Sequence, residues 1–223
     1  LHADGLPFVD LVPESRHALQ NLPWELHWQK YIEPKDFVAD RPAPDLILSR
    51  PTIWNGLEVR GKKLSSFGYA TYRVRFSVPY TQKRLGLRIP APLTAYRVFI
   101  NGQQLAEEGK LGNSEQTFVP RRKSALLYFT VPDGEIEIVI QVANFLLYKG
   151  GLRTDIELGY ASVMQYYGMR YLALDIFCMG LIFSIMVYHF LLFFLSKKQP
   201  AILVFALVSF DYFLLAALFG EQS

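Results

Sequence analysis

Two uninterrupted apolar runs near the end of this chain constrain it more than anything else: residues 171–195 (YLALDIFCMGLIFSIMVYHFLLFFL) and 201–219 (AILVFALVSFDYFLLAALF). The first is 25 residues long with Asp175 as its one formal charge, and the second is 19 residues long with only Asp211. About 20 apolar residues cross a bilayer as a helix, and a helix satisfies its own backbone polar groups in hydrocarbon. Both runs are therefore expected to be transmembrane helices. Of the 43 Lys, Arg, Asp and Glu residues, only five follow Arg170, so the last 53 residues meet a different solvent from the rest. The intervening 196–200 (SKKQP) is too short to fold, which predicts an antiparallel hairpin with Lys197 and Lys198 at its tip. Positive residues favour the cytoplasmic side; the tip is expected inside and the first 170 residues outside.

Ionisable groups within a span are costly unless they face protein or water. Asp175 and His189 are 14 residues apart, about 21 Å along a helix. They sit near opposite ends of their span, where headgroup water is close, so an interfacial role outweighs a proton relay. Asp211, near the middle of its run, is the better candidate for a contact with another helix. Residues 161–170 (ASVMQYYGMR) read as a junction, with Tyr166, Tyr167 and Arg170 as anchors at the lipid interface, where tyrosine is enriched.

The first 160 residues carry a different pattern. Tyr72, Val74, Phe76 and Val78 alternate with Arg73, Arg75 and Ser77, and Ile136, Ile138, Ile140 and Val142 alternate with polar neighbours such as Glu137 and Gln141. Period-two alternation predicts half-buried strands. Residues 96–106 (YRVFINGQQLA) predict a hairpin, with Asn101 and Gly102 supplying the positive φ angles of a tight turn. Shorter strands are expected at 24–28, 83–89, 126–131 and 155–158, separated by turns at Pro79, 90–92 and 132–134. Many short strands and few helical stretches predict an all-β sandwich.

Catalysis has no signature here: no G-x-S-x-G, H-E-x-x-H or phosphate loop occurs, and the four histidines are scattered. The lone Cys178 lies in an apolar run, so neither a disulfide framework nor a cysteine-rich metal site is expected. The net charge of +3 is modest, and the triplet Arg121, Arg122, Lys123 reads as a solvated loop, so nucleic acid is not an expected partner. What remains is recognition chemistry. Trp24, Trp28 and Trp54 offer large rings that either pack a core or stack on a sugar face; Trp24 and Trp28 share parity along a strand, which favours the core. Arg73, Arg75 and Arg97 are placed on strands and could pair with a carboxylate or hydroxylated ligand.

The ordered set 22–31 (LPWELHWQKY) with Pro34 and Asp36, 51–54 (PTIW), 68–72 (GYATY), 94–102 (TAYRVFING), 109–112 (GKLG) and 142–159 (VANFLLYKGGLRTDIELG), with apolar spans directly after it, resembles the bacterial seven-transmembrane receptors with diverse intracellular signalling modules. The resemblance implies an N-terminal jelly-roll, galactose-binding-like domain (1–160), a junction (161–170), a first span (171–195), a cytoplasmic loop (196–200) and a second span (201–219) of a truncated bundle. It implies a bacterial plasma-membrane sensor with its first domain outside. A small ligand of carbohydrate or carboxylate chemistry and the lipid bilayer are its expected partners, and a homodimer is compatible with the arrangement. No cofactor and no metal are implied, and any enzymatic output would lie beyond this chain, which is expected to be a fragment of a longer protein. The competing expectation is a membrane-tethered noncatalytic carbohydrate-binding module of a surface enzyme or uptake system. A channel or transporter is disfavoured, because isolated Asp211 offers no polar pathway.

Overall fold

The structure is a computed structural model that describes residues 5–79, 82–90, 94–121, 123–152, 155–196 and 199–219. Lys197, Lys198, Arg122 and, from the 90–92 turn, Ala91 and Pro92 lie outside the described residues. The chain divides into two compact units, Leu1–Met164 and Gln165–Ser223.

In the first unit the strands are β1 (His17–Ala18), β2 (Trp24–Trp28), β3 (Leu46–Leu48), β4 (Glu58–Val59), β5 (Lys62–Lys63), β6 (Gly68–Ser77), β7 (Lys83–Ile89), β8 (Ala95–Ile100), β9 (Gln103–Glu108), β10 (Ala125–Val131), β11 (Glu135–Asn144) and β12 (Glu157–Tyr160), with a short helix α1 (Pro34–Ala39) after β2. A six-stranded sheet has the order β3-β2-β6-β11-β8-β9, a four-stranded sheet the order β1-β12-β7-β10, and β4-β5 form a separate hairpin. The ladders within these sheets are antiparallel. The alternating residues of β6 and β11 do what their period requires: Tyr72, Val74, Phe76, Ile136, Ile138 and Ile140 point inward and join Leu85, Leu87, Ile89 and Leu158 of the other sheet in one core. The unit is a β-sandwich. At Asn101 (φ 46°) and Gly102 (φ 82°) the backbone makes the expected tight turn between β8 and β9.

The outer face of the six-stranded sheet departs from simple alternation. Val139, Gln141 and Ala143 on β11 are buried as well, because the chain after β2 folds back over them. Thr71 Oγ1 donates to the Lys30 carbonyl and accepts the Ile32 N–H, and Gln141 Nε2 donates to the Ile32 carbonyl. These bonds hold α1 over the sheet, where Ile32, Phe37, Phe99 and Val139 form a second apolar cluster. Pro34 opens α1 and Asp36 accepts the Glu33 N–H, a capping arrangement that lets so short a helix form.

Strand β12 passes directly into α2 (Ala161–Leu195), a helix of 35 residues. Residues 161–170, the expected junction, are helical and continuous with the span: no proline interrupts them, and Gly168 is tolerated inside the helix. In the second unit α3 (Pro200–Phe219) begins on a proline, whose fixed φ suits a first helical turn. Both helices are long and apolar enough to cross a membrane. Phe183 faces Phe213 at 5.6 Å and His189 faces Phe205 at 5.9 Å between ring centroids, the crossed numbering of an antiparallel pair.

Candidate functional site

Arg73 organises the outer face beside α1. It sits on β6 between β2 and β11, so carboxylates from both neighbours reach it: Glu25 at 3.2 Å and Glu137 at 2.7 Å. Its guanidinium also lies 4.3 Å from the centroid of the Phe37 ring, a cation-π contact. Glu25 is bonded in turn by His27 Nε2 at 3.4 Å, and the buried His27 ring meets Phe37 edge-on. Burial works to raise the Glu25 carboxyl, but the His27 hydrogen bond and the Arg73 charge outweigh it and leave the group below its ordinary value of 4.5.

Two residues along β6, Arg75 is half exposed and stands 3.6 Å from Glu135. Asn101, in the β8-β9 turn, clamps this end of β11 by donating to the Glu135 carbonyl and accepting the Glu137 N–H. Together with Arg41 and residues 42–44 after α1, these groups line an open cavity of about 750 Å³. Arg41 makes no ion pair with any described residue. The cavity thus presents guanidinium donors and carboxylate acceptors alternately on a rigid sheet, with Phe37 as an apolar wall. That arrangement suits a small ligand whose hydroxyl groups both give and take hydrogen bonds, or whose carboxylate accepts them from the guanidinium groups.

The expected ligand residues are distributed unequally. Arg73 and Arg75 are together in the cavity. Arg97 is on the same face but outside its lining, paired with Glu107 at 2.8 Å and close to Gln141. Trp24 and Trp54 are fully buried, and their indole N–H groups donate to the carbonyls of Leu19 and Ser66. Neither has a ring face left for a sugar, so the core reading of Trp24 holds and extends to Trp54. Trp28 is only part-buried, edge-on to Trp54 at 5.1 Å, and lines a different cavity. Arg121 and Lys123 both pair with Glu108.

At the start of α2, Tyr166, Tyr167 and Arg170 gather: the two rings are 5.7 Å apart, and the Arg170 guanidinium lies 5.7 Å from the Tyr166 ring. The buried residue here is Met164, which sequence reasoning missed. Gly86 on β7 and Gly159 on β12 face each other in the ladder. A Cβ on Gly86 would stand 2.9 Å from Met164 Cβ and Cγ, and one on Gly159 would stand 3.2 Å from its Sδ. The two glycines form a hollow that Met164 fills. Farther along, His189 Nδ1 is bonded to the Ile185 carbonyl one turn back, Asp175 is part-buried on α2, and Asp211 is exposed on α3.

No family model matches the chain, and no curated protein matches it. Among solved structures it is similar to a GH2 β-galacturonidase from Eisenbergiella tayi bound to galacturonate, at 11% identity over 65% of this chain and 24% of that one, with a TM-score of 0.45. It is also similar to a β-glucuronidase from Ruminococcus gnavus, at 15% identity over 66% and 29% of the two chains, again with a TM-score of 0.45. The chain spans only about a quarter of the length of these enzymes.

Proposed function

We propose that this chain is the ligand-recognising part of a bacterial multi-pass membrane receptor: a jelly-roll, galactose-binding-like domain outside the plasma membrane, followed by the first two helices of a bundle that reports to a cytoplasmic output module. The ligand is a small hydroxylated or carboxylate compound seated in the outer-face cavity between Arg75, Arg41 and Glu135. Tyr166, Tyr167 and Arg170 anchor α2 at the lipid interface. The observation that carries this reading over a passive tether is the absence of a linker: β12 ends at Tyr160, α2 begins at Ala161, and Met164 is already seated between Gly86 and Gly159. A tether has no use for a buried contact at its root. A receptor needs one, because ligand binding shifts a conformational equilibrium only through contacts that differ between its states.

The test is a thermal-unfolding screen of the full chain in detergent against neutral sugars and small carboxylates. A ligand at 100 times its Kd stabilises the protein that binds it by about 2.7 kcal/mol. A shift confined to one chemical class, and weakened by Arg75→Ala, is the expected result. A flat screen on folded protein contradicts the proposal.

A further inference from the structure

A second cavity lies where β2 ends. Trp28 pairs with Ala70 near the start of β6.

Around Trp28 the chain builds a cavity of about 610 Å³ with Gln29, Lys30, Asp45, Val59, Arg60, Lys62 and Leu64. Its fixed point is the Asp45 carboxylate, which is nearly buried at 6% side-chain exposure and fully engaged. Oδ2 accepts the Trp28 N–H at 2.9 Å and faces Lys30 Nζ at 3.5 Å, while Oδ1 accepts from Arg60 Nη2 at 3.1 Å. Asp45 therefore sets the direction of Arg60 without using up its donors: that side chain is 79% exposed. Arg60 and Gly61 form the tip of the β4-β5 hairpin with φ of 51° and 75°, positive at both central positions as a tight two-residue turn requires. The hairpin is held down by Val59 and Leu64, which join the core. Lys62, beside the tip, has no partner among the described residues.

Three cations, Lys30, Arg60 and Lys62, and one carboxylate that is already satisfied line this cavity, beside a part-buried indole. The surplus positive charge in a concave site selects an anion. A guanidinium with free donors favours a carboxylate, which it can grip with two bonds. The indole adds an apolar surface for the C–H face of a ring. We propose that this cavity binds a sugar acid, its carboxylate held by Arg60 and Lys62 and its ring against Trp28. The inference rests on the reading of the sandwich as a recognition module but concerns a different site from the Arg75 cavity.

The experiment titrates the full chain in detergent with D-glucuronate and, as the uncharged control of the same ring shape, D-glucose, at constant ionic strength. Tryptophan emission and the thermal midpoint are both followed. Saturable change with glucuronate and not glucose is expected, with the emission change lost in Trp28→Phe and the affinity reduced at least tenfold in the double variant Arg60→Asn, Lys62→Ala. Asparagine tolerates the left-handed backbone at 60, both replaced side chains are exposed, and Asp45 keeps the Trp28 N–H and Lys30, so an unchanged thermal midpoint without ligand confirms that this variant keeps the fold. Equal response to glucose overturns the inference, as does a glucuronate response that the double variant retains. If a neutral sugar shifts the midpoint through the Arg75 cavity while glucuronate leaves Trp28 emission unchanged, the recognition reading stands and this site falls. If no ligand shifts the midpoint, both fall.

Discussion

Met164, in the first turn of α2, fills the space that a side chain on Gly86 would occupy, 2.9 Å from where that Cβ would stand. The relationship seats the first turn of the helix against β7 and β12 through the Met164 side chain. Met164→Ala empties a buried site and is expected to cost about 2 to 4 kcal/mol. Gly86→Ala overfills the same site and is expected to cost about 1 to 3 kcal/mol. The double variant should be more stable than the sum of the two predicts, because the new methyl then has room. Thermal or chemical unfolding of the four proteins gives this coupling directly, and strict additivity would show that the two residues do not share the hollow.

Arg73 bridges two carboxylates and covers Phe37, so removing it leaves part-buried Glu25 and Glu137 without their shared cation. Arg73→Ala is expected to lose about 3 kcal/mol of stability. Arg73→Lys should recover only part of that, since an ammonium cannot span both neighbours as a planar guanidinium does. Equal stability of the Lys variant and the parent, in denaturant unfolding, would argue against the bridge.

Acid should act through Glu25 and Glu107. Burial opposes the lowered Glu25 value, but His27 and Arg73 prevail; for Glu107 the Arg97 hydrogen bond comes first and lowers it against burial. A carboxyl whose folded pKa is depressed stabilises fully above its unfolded value, ordinarily 4.5, and loses that contribution as pH falls through the folded one. Unfolding midpoints are therefore expected to fall between about pH 5 and pH 3, and the double variant Glu25→Gln, Glu107→Gln should show a shallower decline. An unchanged slope would remove these two groups as its source.

Gly150 lies against Trp54 Nε1 and the Ser66 carbonyl, which are bonded to each other. Gly150→Ala places a methyl into that bond and is expected to destabilise by about 3 kcal/mol through overpacking and a broken buried donor. Tryptophan fluorescence with thermal unfolding checks this: the emission maximum should shift to the red as Trp54 loosens, and a parent-like spectrum with parent-like stability would contradict the contact.

The parts of the molecule visible in the sequence were those governed by local period. Tyr72 to Val78 and Ile136 to Val142 declared their strands, Asn101-Gly102 declared its turn, and the two apolar runs declared α2 and α3. What escaped was set by contacts distant along the chain. The fold-back over the outer sheet depends on Thr71 and Gln141 bonding residues 30 and 32, and no periodicity marks it. The hairpin β4-β5 is only two residues per strand, too short for alternation to register. Its Arg60-Gly61 tip is the local signal that was available. Met164 reads as one more apolar residue before a span, and its role appears only when Gly86 and Gly159 are brought side by side. In the candidate site, Arg73 and Arg75 were legible as outward strand residues, whereas Arg41 and Phe37 arrived through α1.

On the receptor reading proposed above, ligand binding on the sandwich is felt at the root of α2. Hydrogen exchange of the full chain in lipid nanodiscs tests it most directly, with and without a saturating ligand from the thermal screen, at the amides of residues 165–168, whose helical bonds reach back to 161–164. The account expects a reproducible change in protection there, abolished by Met164→Ala while binding persists. Binding that leaves those amides unchanged would contradict it.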